Sequence, residues 1–378
     1  MMLKTDKNQV SKVIEHAPPF FPIPAVKYGG SERVIGGIVN AWAAKEDLPF
    51  GVELWAPGDS KIKQNEKVSL KATVPAGLGL GQPYGATRII MENCADLRQT
   101  LENEPGTVAH FHIEDYHFLT FGYEKELASK TLTTLHNLPK PWQQRCPYMP
   151  LVAISYAQKK KLDSGFEFVE VVHNGIDPSL FEPNYDVGKS SPASFIGRFC
   201  DTKNPIGAIN IAFGADVPIR LGGVRHEDEM DYFQRVIDIE QKNPDKVQYI
   251  GEVSDEPGVG GQSSKSALLG KSRALIFPIK WAEPFGLVIA EANACGTPVI
   301  AFDHPGSSVS ELIVDGVNGY KVKTEEEAVE ALKHIENIDR RGVHKHFQEN
   351  FTIEKMADKY QSIIHQGLPR YWKDIGVK

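Results

Sequence analysis

Short runs of β-branched and apolar residues alternate with longer amphipathic stretches from one end of this chain to the other. That rhythm limits the fold more than any other feature, because parallel strands need a covering crossover, usually a helix, between each pair. The first series places strands at 10–16, 51–56, 108–113, 131–135, 151–155 and 169–173. A second series restarts with strands at 194–196, 217–221, 247–250, 274–277 and 298–301, each followed by a plausible helix. Thr324 with Glu327 three residues on makes a capping box ahead of Ala328, Val329 and Leu332. Between the two series lies PNYDVGKSSP, residues 183–192, whose Pro, Gly, Ser and Asn content and lack of periodicity mark a linker. A chain of 378 residues favours two cores over one. The expectation is an α/β protein of two doubly wound, Rossmann-like domains, 1–186 and the remainder, facing across a cleft lined by the carboxyl ends of both sheets.

Charge narrows the function classes. The formal net charge of -7 argues against a nucleic-acid binder, which needs a basic footprint. Residues through Glu170 carry 19 basic and 19 acidic side chains, and the remainder 23 and 30, so the acidity sits in the second half. The neutral first half argues against a strongly cationic membrane-docking face but leaves room for a small basic patch, hence at most weak membrane-surface association. Cys94, Cys146, Cys200 and Cys295 are widely separated, without a C-x-x-C pair, and read as reduced thiols. The first residues lack the apolar run of a secretory signal, and there is no stretch of eighteen apolar residues. The expected location is cytoplasmic.

The most informative stretch is WAEPFGLVIAEANACGTPVIAF, residues 281–302. Glu283 and Pro284 sit where a helix would begin, and Gly296 would end it. Backbone N–H groups of Phe285, Gly286 and Leu287 would then lie unpaired at a positive helix terminus, suited to an anion or polar ligand. Glu291 would lie two turns on, roughly 12 Å along the axis, a separation comparable to that between the sugar and the ribose of a nucleotide sugar. Each carboxylate can accept two hydrogen bonds from a vicinal diol. A solvated Glu291 is the alternative, disfavoured by its apolar neighbours Val288, Ile289, Ala290 and Ala292.

Three other constellations are weaker alone. In SFIGRFCDTKNP, residues 194–205, Arg198 and Lys203 follow a strand and a Gly turn, where they could neutralise a departing diphosphate or form a surface pair. In KYGGSERVI, residues 27–35, Gly29 and Gly30 precede a helix capped by Ser31, either a phosphate approach or an ordinary turn. His110, His112 and Glu114 share a strand face by the period-two rule, but no fourth ligand closes a metal site. His136, in TLTTLHNLP, ends a strand of the first domain, as a cleft residue or a loop histidine without a role.

Together these residues resemble glycosyltransferase family 4, of the GT-B fold, over nearly the whole chain. The likeness rests on EPFGLVIAE (Glu283 to Glu291), ACGTPVIA, Arg198 with Lys203 and Asn204, VVHNGID, YGGSERV, DGVNGYKV and FTIEKMADKY. It implies a retaining hexosyltransferase that uses a nucleotide-sugar donor, a UDP-sugar foremost, without an obligatory metal or other cofactor. Residues 1–186 would form the acceptor-side domain, 187–360 the nucleotide-sugar domain, and 361–378 a helix crossing back to the first domain, with Tyr371 and Trp372 packed there. By the same resemblance Glu283 holds donor-sugar hydroxyls, Glu291 the ribose diol, and Arg198 and Lys203 the diphosphate. The amides near Gly286 and Leu287 and the Gly29 and Gly30 loop help, and His136 contacts the donor sugar near the reacting carbon.

The loop at 255–264 departs from the resemblance: it is Gly-rich where a charged helix start would contact the base, which leaves base identity open. The acceptor is read by first-domain loops such as GLGLGQPYG, residues 77–85, which carry no motif. A hydrolase or epimerase of nucleotide sugars would share the donor site, as would a silent sugar-nucleotide sensor. Intact Arg198, Lys203, Glu283, Glu291 and His136 speak against the last.

Overall fold

The computed structural model of the protein describes residues 9–25, 29–79, 83–112, 116–137, 140–162, 165–225, 227–255 and 264–377. The chain divides into two compact units, Met1–Ala25 with Gly29–Gly175 and Ile353–Lys378, and Val26–Tyr28 with Ile176–Thr352. Each is described by itself below.

Among the described residues unit 1 holds seven parallel strands: β1 (Lys12–His16), β2 (Gly51–Pro57), β3 (Val68–Val74), β4 (Thr107–Phe111), β5 (Thr131–Leu135), β6 (Leu151–Ala153) and β7 (Val169–Val171). Their order is β3-β2-β1-β4-β5-β6-β7. The central β4, β5 and β6 are buried at every position, as strands covered on both faces must be. β3 was not legible in the sequence because it is an edge strand whose Ser69, Lys71 and Ala72 face solvent. β6 ends before Ser155 because that residue, extended, caps the helix Tyr156–Lys160 by accepting from the Gln158 amide.

Unit 2 holds β8 (Ala193–Ile196), β9 (Ile219–Gly222), β10 (Val247–Tyr249), β11 (Leu275–Phe277), β12 (Val299–Phe302) and β13 (Gly319–Val322), in the order β10-β9-β8-β11-β12-β13. β9 begins after Val217 because the Val217 amide still closes the preceding helix on the Ala212 carbonyl. Phe195, Ile211, Leu221, Ile276 and Ile300 meet in its core. Thr324 caps the helix Glu325–Lys333, accepting from the Glu327 amide, as its sequence foretells.

The units divide at Gly175/Ile176 and Thr352/Ile353, not at 186/187 and 360/361. The 183–192 stretch is irregular, but the chain has joined unit 2 before it: Ile176 bonds the Phe351 carbonyl, Glu182 the Ser266 hydroxyl and Asn184 the Cys295 carbonyl. The return to unit 1 starts early because the helix Ile353–Ser362 buries Ile353, Met356, Ala357 and Tyr360 there. Trp42, fully buried, donates its indole N–H to the Ala357 carbonyl at 3.1 Å. Tyr371 reaches the Tyr148 carbonyl and Trp372 the Ser129 carbonyl, both in unit 1. No described helix is long and apolar enough to cross a membrane.

In each sheet the strand order reverses once, between β1 and β4 and between β8 and β11, and a crevice opens outside the carboxyl ends of strands at such a point. The polar groups of interest lie there.

Candidate functional site

At the reversal point of unit 2, β8 runs into Gly197 and Arg198, and β11 into the segment that carries Glu283. Asn204, in the left-handed region at φ 57°, caps the helix Pro205–Gly214 by accepting from Gly207 N–H, and its amide donates to the Pro278 carbonyl. That clamp fixes the Lys203 backbone beside β11. Lys203 Nζ lies 2.6 Å from Glu283 Oε2, which also accepts the Trp281 indole N–H at 3.0 Å. The ammonium further sits 5.2 Å from the Trp281 ring. Arg198 is more open, its Nε 3.7 Å from Glu229 Oε2.

The helix start differs from its sequence-based expectation. The helix is Leu287–Ala294, so neither Glu283 nor Pro284 belongs to it, and the two glutamates are not two turns apart on one helix. Gly286 is the residue before the first turn and holds φ 85°, a conformation that costs glycine little. Ser308, fully buried, explains the shift: its N–H donates to the Glu283 carbonyl and its hydroxyl to the Phe285 carbonyl, tying 283–285 into a loop. Phe285 itself points into the core against Phe351, which leaves its backbone as the part available to a ligand. The Leu287 amide opens the helix, and Gly296 at φ 71° follows its end.

Glu291 is 4% exposed, so the solvated alternative fails. Lys265 Nζ lies 2.5 Å from Glu291 Oε1 and 2.6 Å from Asp255 Oδ1, with all three side chains buried. Sequence reasoning missed Lys265. Its only local signal is that Ser264 caps the helix it begins, Lys265–Gly270. Asp255 is described, whereas the rest of the Gly-rich loop, 256–263, lies outside the described residues.

Unit 1 gathers histidines at its own reversal point. Glu15 of β1 pairs in register with His110 of β4, and His112 follows one residue after β4. His110 Nδ1 is 2.7 Å from Glu15 Oε1, and His112 Nε2 is 3.1 Å from Glu15 Oε2. His110 Nε2 meets the Thr134 hydroxyl at 2.8 Å, and that hydroxyl meets Tyr360 OH at 2.7 Å. His136, one residue past β5 and half-buried, places Nε2 3.2 Å from His112 Nδ1. Burial would raise the Glu15 carboxyl, but the adjacent His110 and His112 lower it to about 2. Burial, with the neighbouring rings, pushes His112 down to about 4 and His136 down to about 3.

The ligand atoms of Glu15, His110 and His112 lie within 4.8 Å of one another, a possible metal set in composition. Their spacings are also those of hydrogen bonds, which satisfy the carboxylate without an ion. Glu114, the expected third member, lies outside the described residues. Glu15 escaped sequence reasoning because it approaches His110 through strand register, at a separation of 95 residues.

The glycine pair closes the connection from β1 to the next helix. Gly29 precedes the helix Gly30–Ala43 at φ 137°, and a Cβ there would meet Ala25 Cβ at 2.7 Å. Gly30 is therefore the first helical residue, and Ser31 lies inside the first turn instead of capping it. Lys27 and Tyr28 are outside the described residues.

Residues 194–352 match the family described as "Glycosyl transferases group 1". A curated relative, "Probable sucrose-phosphate synthase" of Thermosipho melanesiensis, is 35% identical over 109 residues, 27% of this chain and only 25% of that protein. The chain thus aligns with about a quarter of that relative's length. Two solved structures share the fold. AviGT4, a glycosyltransferase involved in avilamycin A biosynthesis, superposes with TM-score 0.67 at 19% identity, covering 95% of this chain and 98% of that one. Anabaena HepE, solved with UDP and glucose, gives TM-score 0.64 at 15% identity over 94% and 100%. The architecture is that of the GT-B glycosyltransferases.

Proposed function

We propose that this chain, whose residues 194–352 match the group 1 glycosyl transferases, is a retaining hexosyltransferase acting on a nucleoside diphosphate sugar. A UDP-sugar is the preferred donor, because the similarly folded HepE was solved with UDP and glucose. The observation that carries the reading is the Lys203–Glu283 pair, a cation and a carboxylate 2.6 Å apart beside the Gly286 turn and the helix that opens at Leu287.

In this reading Lys203 and Arg198 neutralise the diphosphate as it departs, with the Phe285, Gly286 and Leu287 amides and the Gly29 and Gly30 turn as further donors. Glu283 binds hydroxyls of the transferred sugar, and Lys203 holds its carboxylate in place. Glu291 binds the ribose diol, oriented by Lys265. His136 touches the transferred sugar, whose anomeric carbon gains oxocarbenium character as the bond to phosphate lengthens. In this reading the transfer proceeds without an obligatory metal.

Thermal denaturation with millimolar UDP tests the donor assignment, since a ligand that binds the native state alone raises the melting temperature. A shift with UDP that is weakened in Glu291→Ala supports it, and no shift with any nucleoside diphosphate overturns it. Product analysis after incubation with EDTA tests metal independence. Complete loss, restored by one divalent ion, would redirect attention to Glu15, His110 and His112.

A further inference from the structure

His136 is not held by the backbone alone. Its Nε2 faces a second imidazole, that imidazole faces a carboxylate, and the proton on each nitrogen can be assigned in order. Glu15 has no exposed surface and both of its oxygens are engaged, Oε1 with His110 and Oε2 with His112. A carboxylate so placed accepts, so the His112 nitrogen that faces it, Nε2, carries the proton. His112 is buried and held neutral, and a neutral imidazole has only one N–H. Its Nδ1 is therefore a lone pair, and His136 Nε2–H must donate to it across 3.2 Å. His136 is neutral as well, which leaves its Nδ1 bare. That nitrogen has no hydrogen-bond partner among the described residues.

We propose that Glu15 and His112 are positioning residues that lock His136 in the Nε2–H tautomer, so that Nδ1 accepts a hydrogen bond from a hydroxyl of the transferred sugar. The inference rests on the reading of His136 as a residue that touches that sugar. Its chemical sense follows from the charge that develops during transfer. A neutral acceptor draws a hydroxyl proton toward itself and leaves more electron density on the sugar, whereas an imidazolium would oppose the positive charge growing at the anomeric carbon. The rest of the network makes the lock rigid: His110 takes the other carboxylate oxygen, and Thr134 and Tyr360 hold His110 from behind, so Glu15 cannot turn away without breaking its second bond. The two rings lie edge to edge, with centroids 5.4 Å apart and planes 23° from parallel, as an imidazole–imidazole hydrogen bond requires.

The test reads tautomers directly. Long-range proton–nitrogen correlation spectra of the full chain, labelled at histidine nitrogen, distinguish the two neutral forms, and the His136 signal is identified by its loss in His136→Gln. The wild-type ring should be protonated at Nε2 alone. His112→Phe keeps an aromatic ring against His136 and deletes the acceptor. It should give a mixture of tautomers and lower kcat at least tenfold, while UDP affinity stays within about threefold. His136 protonated at Nδ1 in the wild type, unchanged kcat in His112→Phe, or stoichiometric zinc bound to the purified protein would each overturn the proposal. If His112→Phe does not fold, the wild-type spectrum decides alone. Wild-type kcat in His136→Gln would instead overturn the role of His136 itself and the proposal with it, an outcome separable because the other failures leave His136→Gln slow.

Discussion

The two units bury polar groups at equivalent points of their sheets, but with opposite electrostatics. Unit 2 holds full charges in direct pairs, Lys265 buried between Asp255 and Glu291, and Lys203 half-buried on Glu283. Unit 1 buries one carboxylate among imidazoles, of which His16, His112, His117 and His136 are held below their ordinary range by burial and by one another. Paired charges tolerate pH but not the loss of a partner. A set of neutral rings tolerates some substitution but not acid. The first arrangement suits a charged diphosphate, and the second suits a task of orientation.

Acid should produce the largest separation between the units. An unfolded chain takes up histidine protons near 6.5, whereas folded His16 and His112 resist to about 4. Because the folded values are depressed, this stability is complete above pH 6.5 and is lost as pH falls through about 4. For each of these two rings it amounts to on the order of 3 kcal/mol. Glu15, lowered from 4.5 to about 2, adds a second loss below pH 4.5. Hydrogen exchange followed peptide by peptide from pH 7 to 4 should show β1, β4 and β5 losing protection before β8, β11 and β12. Simultaneous loss would break the comparison.

The converse experiment strikes unit 2. Lys265→Met leaves Asp255 and Glu291 as two buried carboxylates without their cation, which should cost about 3–5 kcal/mol in denaturant unfolding. Adding Asp255→Asn and Glu291→Gln should recover part of it. A loss below about 1 kcal/mol would mean that water replaces the ammonium and that the pairing is weaker than its burial implies.

These contrasts also explain what the sequence made legible. The alternation of strands and crossovers announces both sheets, because burial on two faces leaves a continuous apolar run, as in Leu151–Ala153 or Leu275–Phe277. It misses β3, whose edge position permits Lys71, and β13, a four-residue strand in which Tyr320 and Lys321 are only partly buried. The unit 2 site is carried by contiguous segments, so Arg198, Lys203, Glu283 and Glu291 were all nameable, although Ser308 moved the helix start. The unit 1 network joins Glu15, His110, Thr134 and Tyr360 by register and return of the chain, and no local spacing encodes such pairs.

Within unit 2, Lys203 and Arg198 sharpen the comparison further. Lys203→Ala should raise the barrier to transfer by about 2–4 kcal/mol, as for other donors to a developing anion, measured as kcat/KM with the UDP-sugar. Lys203 is three-quarters covered and paired at 2.6 Å, whereas Arg198 is 40% exposed. Arg198→Ala should therefore cost less, because solvent screens an exposed cation. Equal losses would show that solvent exposure does not rank the two.

The smallest effect is expected from Glu229→Gln. The Arg198–Glu229 contact is long at 3.7 Å and its two side chains are partly exposed, and pairs of this kind contribute little to stability, here less than about 0.5 kcal/mol. On the proposed reading the carboxylate nevertheless bears on function, because a negative charge beside Arg198 would compete with an incoming diphosphate for the same guanidinium. Removing that charge while keeping the side-chain shape should tighten UDP binding by about twofold, with the gain shrinking as salt is added and the repulsion is screened. Unchanged affinity at low salt would place Arg198 outside the diphosphate's reach and return it to the surface-pair alternative. Weaker binding would instead show that Glu229 holds the guanidinium in position for the ligand.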